Sequence, residues 1–232
     1  MSARNFDVAF VGHLVNDFII IDFEKKISRL GGIANCADSF ADLDKKNEFS
    51  FKSIPLIYGD AIISIDTKSS EKFVHAEINR GGKSKFYKRY KKLLKNFRWT
   101  HVSYINKLDD FEYPKEGIVS VDLCAGPTIL HMGQERCPDY IFVSTDEHSA
   151  QTISLQYGKK AKIISHSPYG CELFLNGEVK KRIYGQKNEN LIVLGAGDHF
   201  ASAFIYAKLK KKTDEKALEF ADTKTRKWLL SQ

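Results

Sequence analysis

The sequence predicts an α/β fold built on a largely parallel sheet, and three observations carry that expectation. Short apolar, β-branched runs alternate with stretches whose apolar residues recur at helical spacing. Residues 57–79 break the alternation and read as strand, polar turn, strand, a small β-rich flap beside the core. The 232 residues, 43% of them hydrophobic, suffice for one substantial core, and no linker or internal repeat divides them.

In chain order, residues 8–14 and 18–23 read as strands. Ile33, Ala37, Phe40 and Leu43 form the stripe of a first helix. A strand follows at 49–54, then the flap strands 61–66 and 72–78 around the turn 67–71, which the segment running on from Phe18 to Leu30 can join. Between Lys83 and Arg98, Tyr87, Tyr90, Leu94 and Phe97 fall at helical spacing with lysines on the other faces. Strands at 101–105, 118–123 and 140–144 precede a helix marked by Ala150, Ile153 and Tyr157. Strands at 161–165, 172–175 and 191–194 follow. Phe200, Ala203, Phe204 and Ala207 mark the next helix, and Ala217, Ala221 and Trp228 the last.

Composition narrows the function classes. Cys36, Cys124, Cys137 and Cys171 are scattered with no CxxC pair, which points away from a zinc site or disulfide framework and toward a reducing cytoplasm. No segment approaches the roughly 18–20 consecutive apolar residues of a membrane span, and the N-terminal residues lack a secretory layout. The net charge of +7 concentrates in 83–98 and 208–216. The first stretch reads as the solvated face of an amphipathic helix, and no nucleic-acid motif accompanies the charge. Neither nucleic acid nor membrane is an expected partner; an anionic small molecule such as a nucleotide is compatible.

The sharpest local signal is Leu191-Ile192-Val193-Leu194-Gly195-Ala196-Gly197-Asp198-His199-Phe200, an apolar run, a glycine turn and an immediate helix. The first amides of such a helix, with its dipole, make an anion site. A carboxylate beside that site repels an anion unless it has a task, and taking a proton from an attacking hydroxyl is one. The other reading is a tight strand-to-helix turn with Asp198 as cap. These residues alone leave both open. They form neither a Walker A loop nor a GxGxxG fingerprint.

Gly195-Ala196-Gly197-Asp198-His199-Phe200 resembles the second half of the C-terminal signature of the ribokinase (PfkB) family of carbohydrate kinases. Val11-Gly12-His13-Leu14-Val15-Asn16-Asp17 is similar to that family's first strand and substrate-binding Asp. Gly31-Gly32-Ile33-Ala34-Asn35 resembles its Gly-Gly-x-x-x-Asn motif. Ser144-Thr145-Asp146-Glu147 resembles its Asn-x-x-Glu motif with Ser for Asn, and Ser165 to Gly170 its nucleotide-side Thr-x-Gly-x-x-Gly turn. Five matches in family order span most of the chain.

The resemblance implies one ribokinase-like three-layer α/β/α sandwich over residues 1–232, with lid segments near 17–30 and 56–80. It implies transfer of the ATP γ-phosphate, with Mg2+, to a hydroxyl of a sugar-like small molecule. Asp198 is then the catalytic base. Gly195, Ala196 and Gly197 line the anion hole, and Asp17, Gly31, Gly32 and Asn35 hold the acceptor. Ser165, Ser167 and Gly170 border the nucleotide, and Glu147 acts on the metal indirectly. The lid often pairs two subunits. A nucleoside or fructosamine-type acceptor, or a degenerate ligand-binding module, are the alternatives.

The chain also departs from the family. It is short, and the deficit falls between 54 and 57. Ile192-Val193 replaces the Asp-Thr whose Asp helps bind a monovalent cation, so potassium activation is not expected. Ser167 replaces a glycine of the nucleotide-side turn. His199 replaces a small residue and reads as an ordinary helix-surface histidine.

Overall fold

The structure, a computed structural model, describes residues 6–79, 88–105, 108, 111–123, 136–145, 149–188 and 191–232. Its centre is one ten-stranded sheet. Six strands run parallel in the order β3 (Phe51–Asp66), β1 (Phe6–Ile21), β5 (Phe97–Ser103), β6 (Ile118–Leu123), β7 (Tyr140–Ser144) and β8 (Lys162–Ser167). β9 (Gly170–Leu175) and β10 (Glu178–Tyr184) extend this sheet antiparallel beyond β8.

Period-2 alternation sorts the core strands into two hydrophobic layers. Val8 and Phe10 of β1 join Phe142, Ile164 and the helices α1 (Ile33–Leu43), α4 (Ala196–Leu209) and α5 (Asp214–Leu229) on one face. Ala9 and Val11 join Val121, Ile141 and the helices α2 (Tyr90–Leu94) and α3 (Ala150–Tyr157) on the other. The result is the three-layer α/β/α sandwich that the sequence leads one to expect.

The lid is not a separate insertion. β1 and β3 run on past the core, and β2 (Lys25–Gly32) and β4 (Glu71–Asn79) flank their outer halves in the order β2-β1-β3-β4. Up to Gly12, β1 pairs with β5; from Leu14 it pairs with β2. The register with β3 slips between Gly12 and His13, and Gly12 has φ +140°. A side chain at Gly12 would run into the Ser103 carbonyl.

Four expectations are corrected. Residues 8–14 and 18–23 form one strand, as do 49–54 and 61–66, because parallel pairing of β1 with β3 continues through the slip. Of the helical stripe expected from Tyr87 to Phe97, Tyr87 lies outside the described residues, and the described part forms the five-residue helix α2. Tyr90 and Leu94 bury there, whereas Phe97 opens β5. Residues 191–194 form no strand: Ile192 and Leu194 pack against Val15, Ile19 and Ile63 of the lid, and the Leu191 amide donates to Ser70 Oγ at 3.1 Å. β10 went unforeseen, although Asn176-Gly177, with φ 54° and 83°, is the dipeptide a two-residue hairpin favours.

Gly12→Ala is expected to cost about 3 kcal/mol or more of stability, since it adds both a collision and an unfavourable φ. Urea denaturation checks this, and a midpoint equal to wild type would remove Gly12 from its role.

Candidate active site

α4 starts from Gly195, whose φ of 88° is left-handed and suits glycine. The Ala196 amide turns back to the Val193 carbonyl at 3.1 Å, and His199 N–H makes the first helical bond to Gly195 O at 2.9 Å. The amides of Gly197 and Asp198 are thus left among those without an intrahelical acceptor. Together with the dipole they favour an anion here.

Asp198 lies in this first turn. Its carboxylate accepts from Asn35 Nδ2 at 3.0 Å and from Cys36 Sγ at 3.3 Å, both on the first turn of α1. Burial raises its pKa, and the two donors pull it back toward the ionised form. Ser202 Oγ donates to the Cys36 carbonyl at 2.9 Å and ties the two helices together.

The lid brings a second carboxylate to the same cleft. Asp17 stands opposite Arg29 in the β1–β2 ladder, with its oxygens lying on Gly31, where any side chain would collide with them. Asp17 is 5% exposed, and burial pushes its pKa up to about 6. The Arg29 charge opposes that shift, while Asp198 and Glu77 add to it. Gly32, with φ 61°, is the cap of α1, and a side chain there would strike the His13 carbonyl.

Asp17, Gly31, Asn35, Gly195 and Asp198 are therefore brought together. Ser167 and Gly170 face each other at the β8–β9 turn, Ser165 lies within β8 opposite Glu172, and this hairpin reaches α4 through His166. A Cβ at Gly197 would sit 3.1 Å from the His166 Cε1. Ser167 Oγ accepts from the Tyr169 amide at 3.1 Å and donates to Gly170 O at 3.2 Å, so this serine shapes the turn. Glu147 lies outside the described residues, as do Asp146 and Cys124.

His199 is corrected from a surface residue: it is 3% exposed, stacks on Trp228 with centroids 5.0 Å apart, and its Nδ1 lies 3.1 Å from Thr225 Oγ1. Sequence reading missed Arg29 and Cys36 as site residues. A charge on the inward row Ile27, Arg29, Gly31 was the available signal for the first; nothing singled out the second. Among the described residues no three His, Cys, Asp or Glu side chains gather to hold a metal.

No protein-family model matches the sequence, and no curated protein matches it. Solved structures do resemble it. A microbiome-derived acarbose kinase superposes with a TM-score of 0.64 at 13% identity, covering 95% of this chain and 91% of its own. The adenosine kinase from Sinorhizobium meliloti gives 0.60 at 12% identity, covering 94% and 92%. The Arabidopsis thaliana ribokinase complexed with ribose and ATP gives 0.55 at 16%, covering 93% and 90%. The chain has the ribokinase-like fold.

The raised pKa of Asp17 carries a testable sign. Its folded value near 6 exceeds the unfolded 3.8, so its cost to stability is absent below about pH 4 and fully present above about pH 6. Asp17→Asn is expected to stabilise the protein by about 2 kcal/mol at pH 8, with the gain vanishing at pH 4. Thermal melts at both pH values check this; a pH-independent gain would contradict it.

Proposed function

We propose that this chain is an ATP-dependent phosphotransferase that moves the γ-phosphate of ATP to a hydroxyl of a small sugar-like acceptor. One observation carries the reading: a half-buried carboxylate, Asp198, sits on the first turn of a glycine-initiated helix, held there by two donors and within electrostatic reach of the buried Asp17 on the lid. The ribokinase-like fold supports it.

The acceptor binds between lid and core, with hydroxyls on Asp17 Oδ, Asn35 and the Gly31-Gly32 backbone. The attacking hydroxyl lies against Asp198. As its oxygen bonds to the γ-phosphorus, the bond from that phosphorus to the β-bridging oxygen breaks, and the electron pair leaves with ADP. The hydroxyl proton passes to Asp198. Amides at the start of α4 face the charge on the transferring group and need no reorganisation. The nucleotide lies along Ser165, Ser167 and Gly170. Magnesium brought in with the nucleotide would neutralise the charge of its phosphates. The apolar side chains of Ile192 and Val193 offer no ligand for a potassium ion.

The lid also offers a surface for a second copy of this chain. Leu30, Phe18, Ile62 and Ile78 lie on its outward face and are 55%, 44%, 42% and 60% exposed, a contiguous apolar band across all four strands. Burying this band against its own symmetry mate closes the lid in an isologous dimer.

Asp198→Asn is expected to lower turnover by about 10² or more in an ATP-consumption screen over sugars and nucleosides. Coinciding rates would remove Asp198 from its role, and ligand binding without turnover on any acceptor would favour a binding module. For the lid, Phe18→Asp with Ile62→Lys is expected to convert a dimer to a monomer in light scattering. A monomeric wild type would overturn the pairing.

A further inference from the structure

The start of α4 is overhung by a cation that the reading above leaves unused. Arg29 lies on the inward face of β2, and its Nη2 donates to the Leu194 carbonyl at 3.0 Å, immediately before the Gly195 cap. A Cβ at Gly195 would point to within 3.5 Å of both Arg29 Nη2 and Asn35 Nδ2. The guanidinium and the amide that orients Asp198 therefore stand side by side over the glycine turn. Among the described residues one hydrogen bond engages the guanidinium. Its Nε is buried without a partner among the described residues, and no hydrogen bond or ion pair there joins it to Asp17 across the ladder. Neutralising Asp17 at close range is thus not what holds it in place.

A partly buried guanidinium with unmade donors is costly unless a ligand completes it. Its planar fork matches two oxygens of a phosphoryl group. We propose that Arg29 is a further catalytic residue, gripping the γ-phosphoryl oxygens during transfer from the lid side, opposite the α4 amides. It neither gives nor takes a proton. Its charge opposes the charge that develops as the acceptor oxygen bonds to phosphorus and the pair on the bridging oxygen leaves with ADP. Because Arg29 belongs to the lid and Asp198 to the core, the transferring group is held only where both are in place.

The inference rests on the phosphotransferase reading, and one titration separates the two. Mg-ADP is titrated calorimetrically into wild type and Arg29→Gln, with and without aluminium fluoride, a planar mimic of the transferring group. In wild type the fluoride is expected to tighten nucleotide binding, and in Arg29→Gln that tightening ratio is expected to shrink by about 10². An equal ratio in the two proteins overturns the role of Arg29 and leaves the reading standing. A wild type that binds no Mg-ADP overturns both. Should the glutamine variant not fold, Arg29→Lys keeps the charge and a donor for Leu194 O. Loss of the fork is then expected to reduce the ratio about tenfold, and an unchanged ratio overturns the proposal.

Discussion

The change of partner along β1 at Gly12 is the constraint on which the rest depends. Below it the strand is the centre of the parallel core, flanked by β3 and β5; above it the same strand is the centre of the lid, flanked by β3 and β2. No residue with a side chain fits at the switch, because the Ser103 backbone occupies the space. Asp17, five residues on, therefore hangs from an element as stiff as the core itself, about 16 Å along an extended chain. β2 then returns antiparallel and delivers Gly31-Gly32 to the head of α1, which places Asn35 and Cys36 against Asp198. Lid, turn and helix are positioned in sequence from one backbone event.

The two carboxylates in the cleft are treated differently. Asp198 has donors from Asn35 and Cys36 and lies within the field of Lys72 and Arg29, all of which favour its ionised form against its burial. Among the described residues no hydrogen-bond donor reaches Asp17, and the largest charge opposing its shift, Arg29, is engaged by Leu194 O. A structure that needed only stability would fill that position with an apolar residue. Under the proposed function, this carboxylate with its raised pKa is the group that takes an acceptor hydroxyl. An acceptor hydroxyl would supply the missing donor, and the binding energy so released is tied to the position of the hydroxyl that reacts.

Much of this was legible in residue order. Apolar runs spaced by helical stripes carry a parallel sheet, and the glycine turn before Asp198 announces a helix start whatever its purpose. The failures have physical causes. Ile192 and Leu194 are as apolar as any strand, yet their burial comes from the lid rather than from a neighbouring strand, and periodicity cannot tell one apolar environment from another. His199 reads as a surface residue because α4 looks amphipathic. In the fold α5 covers its second face, so histidine and Trp228 stack between helices. Arg29 was missed because the row Ile27, Arg29, Gly31 shows itself as inward-facing only weakly until strand pairing sets Arg29 opposite Asp17.

The same economy explains how a short chain keeps both a core and a lid. β3 passes from the sheet edge into the lid without a break, so one strand serves both layers. Among the described residues its lower half pairs with β1, and β4 pairs from Gly59 onward. Pro55 sits at the register slip, where a proline removes one N–H from the ladder as the strand leaves the core for the lid. The exposed apolar side chains Phe18, Leu30, Ile62 and Ile78 lie on the lid side of that slip, so the lower half of β3 serves the core and the upper half the surface proposed for a second copy.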